Sequence, residues 1–320
     1  MSTSASSQPS SPGVASLHQP SIDVVIPTRD RPELLRRAID AALDQDYSGP
    51  VRVIVVFDGA PADQTYAQSG DRRSVIVIDN TRKPGLAGAR NSGIETATAD
   101  LVAFCDDDDS WLPSKLTAQL RALRANPEAV LASCGIRIHY SDHVIDRTLG
   151  TRTVTLDDLL RDRLTELHPS TFLMRRRAIV DYVGLVEEDL PGSYAEDYEF
   201  LLRVARRAPI VTTAQVGVDV LWHAESYFDS RWPMIIEALT WLLARYPEFS
   251  RQRAGEARID GQIAFASAAI GQRREAVSWA ARAVRRNPAE RRAYLALAVA
   301  SGALSPDKLI QWLHRRGRGI

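Results

Sequence analysis

LVAFCDDDDSWLPSKL, Leu101 to Leu116, is the stretch that decides the fold. It opens on Leu101 to Cys105, apolar enough to be a strand buried on both faces of a parallel sheet. It runs into a helical pattern in which Leu112, Leu116, Leu120 and Leu123 recur every three or four residues. Between the two stand four adjacent aspartates, Asp106 to Asp109. A run of like charges is ordinarily a solvated loop. Here both flanks are structured, so the acids fall at the C-terminal edge of a strand, where open α/β sheets bind ligands. Carboxylates crowded at that edge need a cation. Hard divalent ions such as Mg2+ or Mn2+ take oxygen ligands and bridge a carboxylate to a diphosphate. One acid of the run can then meet a ribose and another the metal, and the residues alone do not assign which.

Upstream, β-branched runs recur at Ile22 to Ile26, Val51 to Phe57 and Ser74 to Ile78, separated by helical patterns. Asp30 to Glu33 has the form of a capping box with an aspartate as cap, and Leu34, Leu35, Ala38, Ile39, Ala42 and Leu43 follow at helical spacing. Ala89 to Ala97 predicts a second helix. Strand, helix, strand in succession implies an α/β sheet with crossover helices. The second run ends in FDGAP. An Asp-Gly turn is the ordinary use of such a pair. If this strand and the one ending at Asp106 are parallel neighbours, however, Asp58 and Asp106 converge on one crevice, and Asp58 can accept from the imide N–H of a base. PGLAGARNSGI, Pro84 to Ile94, supplies a glycine-rich turn, and its Arg90 and Asn91 open a helix whose N-terminus favours phosphate. It is neither GxxxxGK[ST] nor GxGxxG.

Downstream, Ala129 to Tyr140 reads as a strand pair or one long strand, Thr171 to Met174 as a short strand, and Val216, Val218, Val220 and Trp222 alternate as a half-buried strand does. In SYAEDYEFLLR, Ser193 to Arg203, a helix from about Ala195 puts Asp197 on the face of Leu201, Val204 and Ala205, toward packed structure or a cleft. A helix-start aspartate favoured by the macrodipole is the plainer use. Beyond about Trp232 the pattern is helical only, over Ile235 to Arg245, Ile259 to Ala269, Arg274 to Arg286, Ala289 to Ala300 and Pro306 to Arg315. Gly271, Ala276, Ala283 and Pro288 stand at spacings similar to a tetratricopeptide repeat, which suits either a helical cap or a partner-binding surface. The expected organisation is a flexible leader over 1–20, rich in Ser and Pro, an α/β domain over 21–231 and a helical region over 232–320.

The whole chain, 320 residues with 45% hydrophobic and 25% charged, excludes a wholly disordered, collagen-like or membrane-spanning protein. Forty basic residues balance forty acidic ones, so nucleic acid is not an expected partner. From Arg251 onward, however, 14 Lys/Arg stand against 5 Asp/Glu, and such a tail suits an anionic membrane surface or a protein contact. Cys105 and Cys134 make neither a disulfide scaffold nor a CxxC element, which fits a reducing compartment. With no apolar stretch of about 18 residues and no secretory start, the expected location is cytoplasmic, peripheral at the inner face of the membrane.

Taken in order, VVIPTRDRPELLRRAI, VVFDG, GLAGARNSGI and AFCDDDDSWLPSKL resemble the nucleotide-binding half of family 2 glycosyltransferases, inverting enzymes of the GT-A fold, over roughly residues 22 to 225. The resemblance implies a nucleotide-sugar donor such as a UDP-sugar, and Mn2+ or Mg2+. It implies that Pro27, Thr28, Arg29 and Asp30 line the nucleotide pocket with Arg90, Asn91 and Asp107, that Asp58 contacts the base, that Asp106 contacts the ribose, and that Asp108 holds the metal. Asp197 inherits the role of catalytic base, with Glu196 positioning it or the acceptor. His168 and Ser170 fall near the cleft, and His223 corresponds to a histidine that binds metal or diphosphate in part of the family. Transfer then goes to a hydroxyl of a saccharide, lipid-linked or other glycoconjugate acceptor. Phe57 stands where many relatives have a second acid, and the aspartate run leaves the register of the DxD motif open by one residue. The alternatives are a sugar nucleotidyltransferase, which the glycine-free opening IPTRDRPEL disfavours, and an inactive scaffold working through its helical tail.

Overall fold

The computed structural model describes residues 19–140, 143–222 and 231–314, so nearly all of the expected leader and His223 lie outside the described residues. The first half comprises β1 (Ile22–Thr28), α1 (Pro32–Leu43), β2 (Val51–Phe57), β3 (Arg73–Asp79), α2 (Leu86–Thr96) and β4 (Leu101–Phe104). Its strands are the four apolar runs of the sequence. They pair parallel in the order β3-β2-β1-β4, with Val25 level with both Ile54 and Phe104. Every residue of β1 is buried. Helices on both faces of the sheet require this, and it is why the run is continuous rather than alternating.

The capping box expected before α1 does not form. The helix is capped at Arg31 without a side-chain bond and opens on Pro32, while Asp30 sits at φ +55°. Proline supplies a preset φ and lacks the N–H that a cap would have to satisfy, so Asp30 is left to the turn.

Small residues bring α2 close to β1. A Cβ on Gly93 would stand 2.2 Å from Val25 Cγ1. Alanine is the better helix former by about 1 kcal/mol, but overpacking a core costs about 1–3 kcal/mol and prevails at this distance. Gly93→Ala is therefore expected to lower the urea midpoint with little change in the slope of the transition. An unchanged midpoint would mean that α2 can move away from the sheet freely.

The second half comprises β5 (Ser110–Trp111), α3 (Lys115–Ala125), β6 (Leu131–Tyr140), β7 (His143–Arg147), β8 (Thr153–Val154), α4 (Leu156–Arg161), β9 (Leu173–Arg175), the single turn α5 (Arg176–Ala178), α6 (Glu196–Ala205) and β10 (Ile210–Leu221). It extends the sheet as β4-β9-β6-β10-β5, with β7 on β6 and β8 on β10, ten strands among the described residues. β9 lies antiparallel between β4 and β6, so the sheet is mixed. Ala129 to Tyr140 resolves into the single long strand β6, and the helix expected from Leu112 starts at Lys115.

From Trp232 the described chain is helical: α7 (Trp232–Arg245), α8 (Arg253–Ala269), α9 (Arg273–Arg286), α10 (Arg291–Ala300) and α11 (Pro306–His314). α8 joins this region to the rest, with twelve of its 17 residues buried. Ile259, Ile263 and Ala266 share the core of α6 and the sheet, while Ala264, Phe265 and Ala268 pack with α9 and α10. Part of the tail's positive charge turns inward. Arg286 pairs with Glu256 and with the fully buried Asp260, and Arg282 also reaches Asp260. No helix among the described residues is long and apolar enough to cross a membrane.

Candidate active site

Because β1, β2 and β4 run parallel, their C-terminal ends share one edge, and the loops that follow them build a cavity of about 380 Å³. Pro27, Thr28, Arg29, Arg31, Asp58 and Asp106 to Asp108 line it, together with Gly85, Leu86, Ala89, Gly192 and Ser193. Asp58 is locked in place. Its own N–H donates to Thr28 O at 3.0 Å, and its carboxylate accepts from Asn80 Nδ2 at 2.8 Å and from Gly85 N–H at 3.0 Å. Gly85 presents that N–H from φ +123°, a backbone state other residues avoid. Thr28 Oγ1 donates to Asp107 Oδ2 at 2.8 Å, and Arg31 Nη1 donates to Asp107 at 3.2 Å and to Asp108 at 2.6 Å. Burial raises the Asp107 carboxyl above its ordinary range, with the neighbouring Asp108 and Asp106 charges adding to it against Thr28 and Arg31.

Three expected pocket residues stand elsewhere. Asp30 is exposed outside this lining. Asn91 is fully buried and its amide serves the chain: Nδ2 donates to Val186 O at 2.8 Å and to Glu188 Oε1 at 2.6 Å, and Oδ1 accepts from Val186 N–H at 2.8 Å. Arg90 lies beneath the cavity, 1% exposed, with Nη2 donating to Asp106 Oδ1 and Nη1 to Glu196 Oε1, both at 2.6 Å. Burial opposes its charge, but Asp106 and Glu196 outweigh burial and hold the guanidinium protonated. It also covers the Phe104 ring at 5.5 Å. Both side chains are held inside by hydrogen bonds that solvent-facing positions would not supply.

Ser170 ties the last aspartate to the first. Its hydroxyl donates to Asp109 Oδ2 at 2.5 Å and accepts from Asp106 N–H at 2.9 Å. His168 Nδ1 lies 3.4 Å from Asp109 Oδ2. Asp106, Asp109 and His168 offer ligand atoms within 4.8 Å of one another, two carboxylates and an imidazole, which suit Mn2+. Burial pushes the Asp109 carboxyl up to about 7, against the pull of His168 and with Asp106 and Asp108 adding. Asp108, the ligand expected from the sequence, faces Arg31 instead.

Asp197 stands in the first turn of α6 and lines a second cavity of about 570 Å³, together with Arg163, His168, Tyr194, Trp222 and residues of the helical region. The adjacent residues Ser193 and Tyr194 line one cavity each. Ser193 and Ala195 both sit at positive φ, +55° and +66°, a conformation that costs non-glycine residues about 1–2 kcal/mol and that aims the first turn of α6 at the cavity. Arg163 Nη2 donates to both Asp197 oxygens, at 2.9 and 3.0 Å. Burial alone would raise Asp197, but Arg163 and the Tyr198 N–H outweigh it and hold the carboxyl below its usual range. Glu196 goes the other way. Burial pushes it up to about 7 despite Arg90, with Asp197 adding to the shift. Two adjacent acids whose environments shift them in opposite directions are suited to different roles, with Asp197 the one held toward its ionised form. Arg31 and Asp109 lie inside the motifs without a role assigned from the sequence, and Arg163 carries no motif signal. Arg163 stands 34 residues before its partner in a segment of no distinctive pattern.

The family model described as glycosyl transferase family 2 matches residues 23–183, half of the chain. An uncharacterized glycosyltransferase of Rickettsia prowazekii is 26% identical over 215 residues, 65% of this chain and 66% of that protein, so the chain spans just under two thirds of this curated relative. In shape the chain is similar to S. aureus TarS 1–349 in complex with UDP-GlcNAc, with a TM-score of 0.59 at 15% identity over 93% of this chain and 92% of that one. It is also similar to a Pyrobaculum calidifontis mannosyltransferase in complex with GDP-Man and Mn2+, with a TM-score of 0.53 at 16% identity over 92% and 84%. These likenesses establish the expected GT-A fold, a mixed sheet flanked by helices with a helical C-terminal region.

Proposed function

This chain belongs to glycosyl transferase family 2, and from that premise we propose that it is an inverting glycosyltransferase that uses a nucleotide-sugar donor. The observation that carries the reading is the separation of carboxylates between two neighbouring cavities: Asp58 and Asp106 to Asp108 along the smaller, Asp197 in the larger. The smaller cavity takes the nucleotide. Asp58, already fixed by Asn80 and Gly85, keeps lone pairs for a base N–H. Arg29 and Arg31 bring positive charge to the diphosphate side. Asp106, Asp109 and His168 would hold a divalent cation, which when bound offsets charge developing on the departing diphosphate. The S. aureus and P. calidifontis proteins, in complexes with UDP-GlcNAc and with GDP-Man and Mn2+, support this assignment of donor class and metal.

The larger cavity takes the acceptor. Its hydroxyl attacks the anomeric carbon from the face opposite the diphosphate, and the ionised Asp197 accepts the proton as the bond forms. One displacement inverts the configuration, so a single catalytic carboxylate suffices, unlike the flanking pair of a glycosidase. Glu196, held by Arg90, keeps the first turn of α6 in register with the aspartate run.

Titration of the full chain with UDP, GDP and dTDP, with and without Mn2+, tests the donor half. One nucleotide is expected to bind at least tenfold tighter with Mn2+, and His168→Ala is expected to abolish that dependence. If Asp108→Ala abolishes it and His168→Ala does not, the metal register implied by family resemblance is restored. If no nucleotide binds, the transferase reading falls.

A further inference from the structure

The larger cavity holds more positive charge than proton abstraction requires. Arg147, Arg163, Arg258 and Arg292 line it, against the acids Asp162 and Asp197. Glu290, outside the lining, reaches Arg292 Nη1 at 3.1 Å, but the Nε atoms of Arg258 and Arg292 are buried and make no hydrogen bond among the described residues. Two of the arginines come from the helical region, Arg258 from α8 and Arg292 from α10. Arg258 is nearly buried, and its Nη2 donates to the hydroxyl of Tyr198, the residue after Asp197. Its acid neighbour Asp162 is 3.7 Å away and largely exposed, a weak counterweight for a buried guanidinium. Arg163 uses only Nη2 on Asp197. Ile136, Ile138, Leu164, Leu167 and Trp222 make the remaining walls mostly apolar, and low-dielectric walls concentrate the field of the arginines inside.

Arginine forks match phosphate and carboxylate oxygens in pairs, and a cavity of about 570 Å³ has room for a sugar ring with such a group attached. We propose that the acceptor carries an anionic group, phosphate or carboxylate, beside the hydroxyl that Asp197 deprotonates, and that Arg163, Arg258 and Arg292 bind it. The inference rests on the transferase reading and names its acceptor class. It also gives the helical region a part in substrate recognition, since the sheet domain alone supplies only half of the arginines.

Glucose 6-phosphate, glucuronic acid and methyl glucoside serve as probes, titrated calorimetrically into the full chain with and without a saturating nucleoside diphosphate. The expected result is at least tenfold tighter binding of one or both charged probes than of methyl glucoside. Whichever charged probe prevails tells phosphate from carboxylate. Arg292→Gln, at the partly exposed end, and Arg258→Lys, which keeps the charge but not the fork, are each expected to reduce that preference about tenfold. Equal binding of the three probes overturns the inference, as does a preference that survives both substitutions together. The two readings fail separately. A bound nucleotide with no preference for charge removes only the anionic acceptor. A charge preference in a chain that binds no nucleotide removes the transferase reading and leaves an anion site.

Discussion

Asp197→Asn is expected to lower kcat by about 10² to 10⁴ and to leave nucleotide affinity unchanged, since a positioned general base contributes about that much and Asp197 lines the larger cavity and not the smaller. The change is nearly isosteric. The asparagine oxygen still accepts from Arg163, so the first turn of α6 keeps its place and the loss reports the missing base. Because Arg163 holds Asp197 below the ordinary carboxylate range of about 4, protonation of the base should limit the wild-type rate at saturating Mn2+ only below about pH 5. Arg163→Gln removes the positive charge, raises the Asp197 carboxyl and moves the acid limb to higher pH. A pH–rate profile checks both statements. Unchanged turnover in the asparagine variant, or an acid limb indifferent to Arg163, takes Asp197 out of the mechanism.

Arg90→Met is expected to destabilise the fold by about 3–5 kcal/mol at pH 8, the usual cost of removing one partner from a buried ion pair. Here the loss strands two acids, Asp106 and the nearly fully buried Glu196. Burial already raises Glu196 to about 7 with Arg90 present, and without it the carboxyl rises further. An acid whose folded pKa lies above its unfolded value of about 4.3 loses stability as pH rises between the two, so the deficit of the variant should grow from pH 5 to pH 8. Urea unfolding at both pH values measures it. A deficit below about 1 kcal/mol that is the same at both would show that Arg90 neither neutralises Glu196 nor holds the two cavities in register.

The inner parallel strands were legible because they are buried on both faces and so read as unbroken apolar runs, as β1, β2 and β4 do. The aspartates at the end of β4 were legible for the same reason, since a structured strand and a helix bracket them. Local patterns do not reveal where a side chain answers to a distant partner. Asp30 looked like a cap, but Pro32 takes over the start of α1. Asn91 looked like a phosphate ligand, yet its amide secures Val186 and Glu188. The register of the aspartate run, left open by the sequence, depends on the same kind of contact: Asp108 pairs with Arg31, and Asp106 and Asp109 stand near His168. Part of the charge of the basic tail is likewise used inside the fold, where Arg286 and Arg282 pair with buried Asp260 and Arg258 and Arg292 line a cavity.

By itself, then, the amino-acid order determined the layered α/β architecture, the sheet edge that carries the aspartates and the helical character of the last third, because burial and periodicity act between near neighbours. Only the tertiary structure decided which carboxylate is ionised, which is paired and which can meet a cation. Those properties depend on charges brought together from afar, as when Arg90 joins Asp106, 16 positions away, to Glu196, 106 positions away. The energy of such contacts varies with distance in space and with the exclusion of water, and neither is written in any local stretch of the chain.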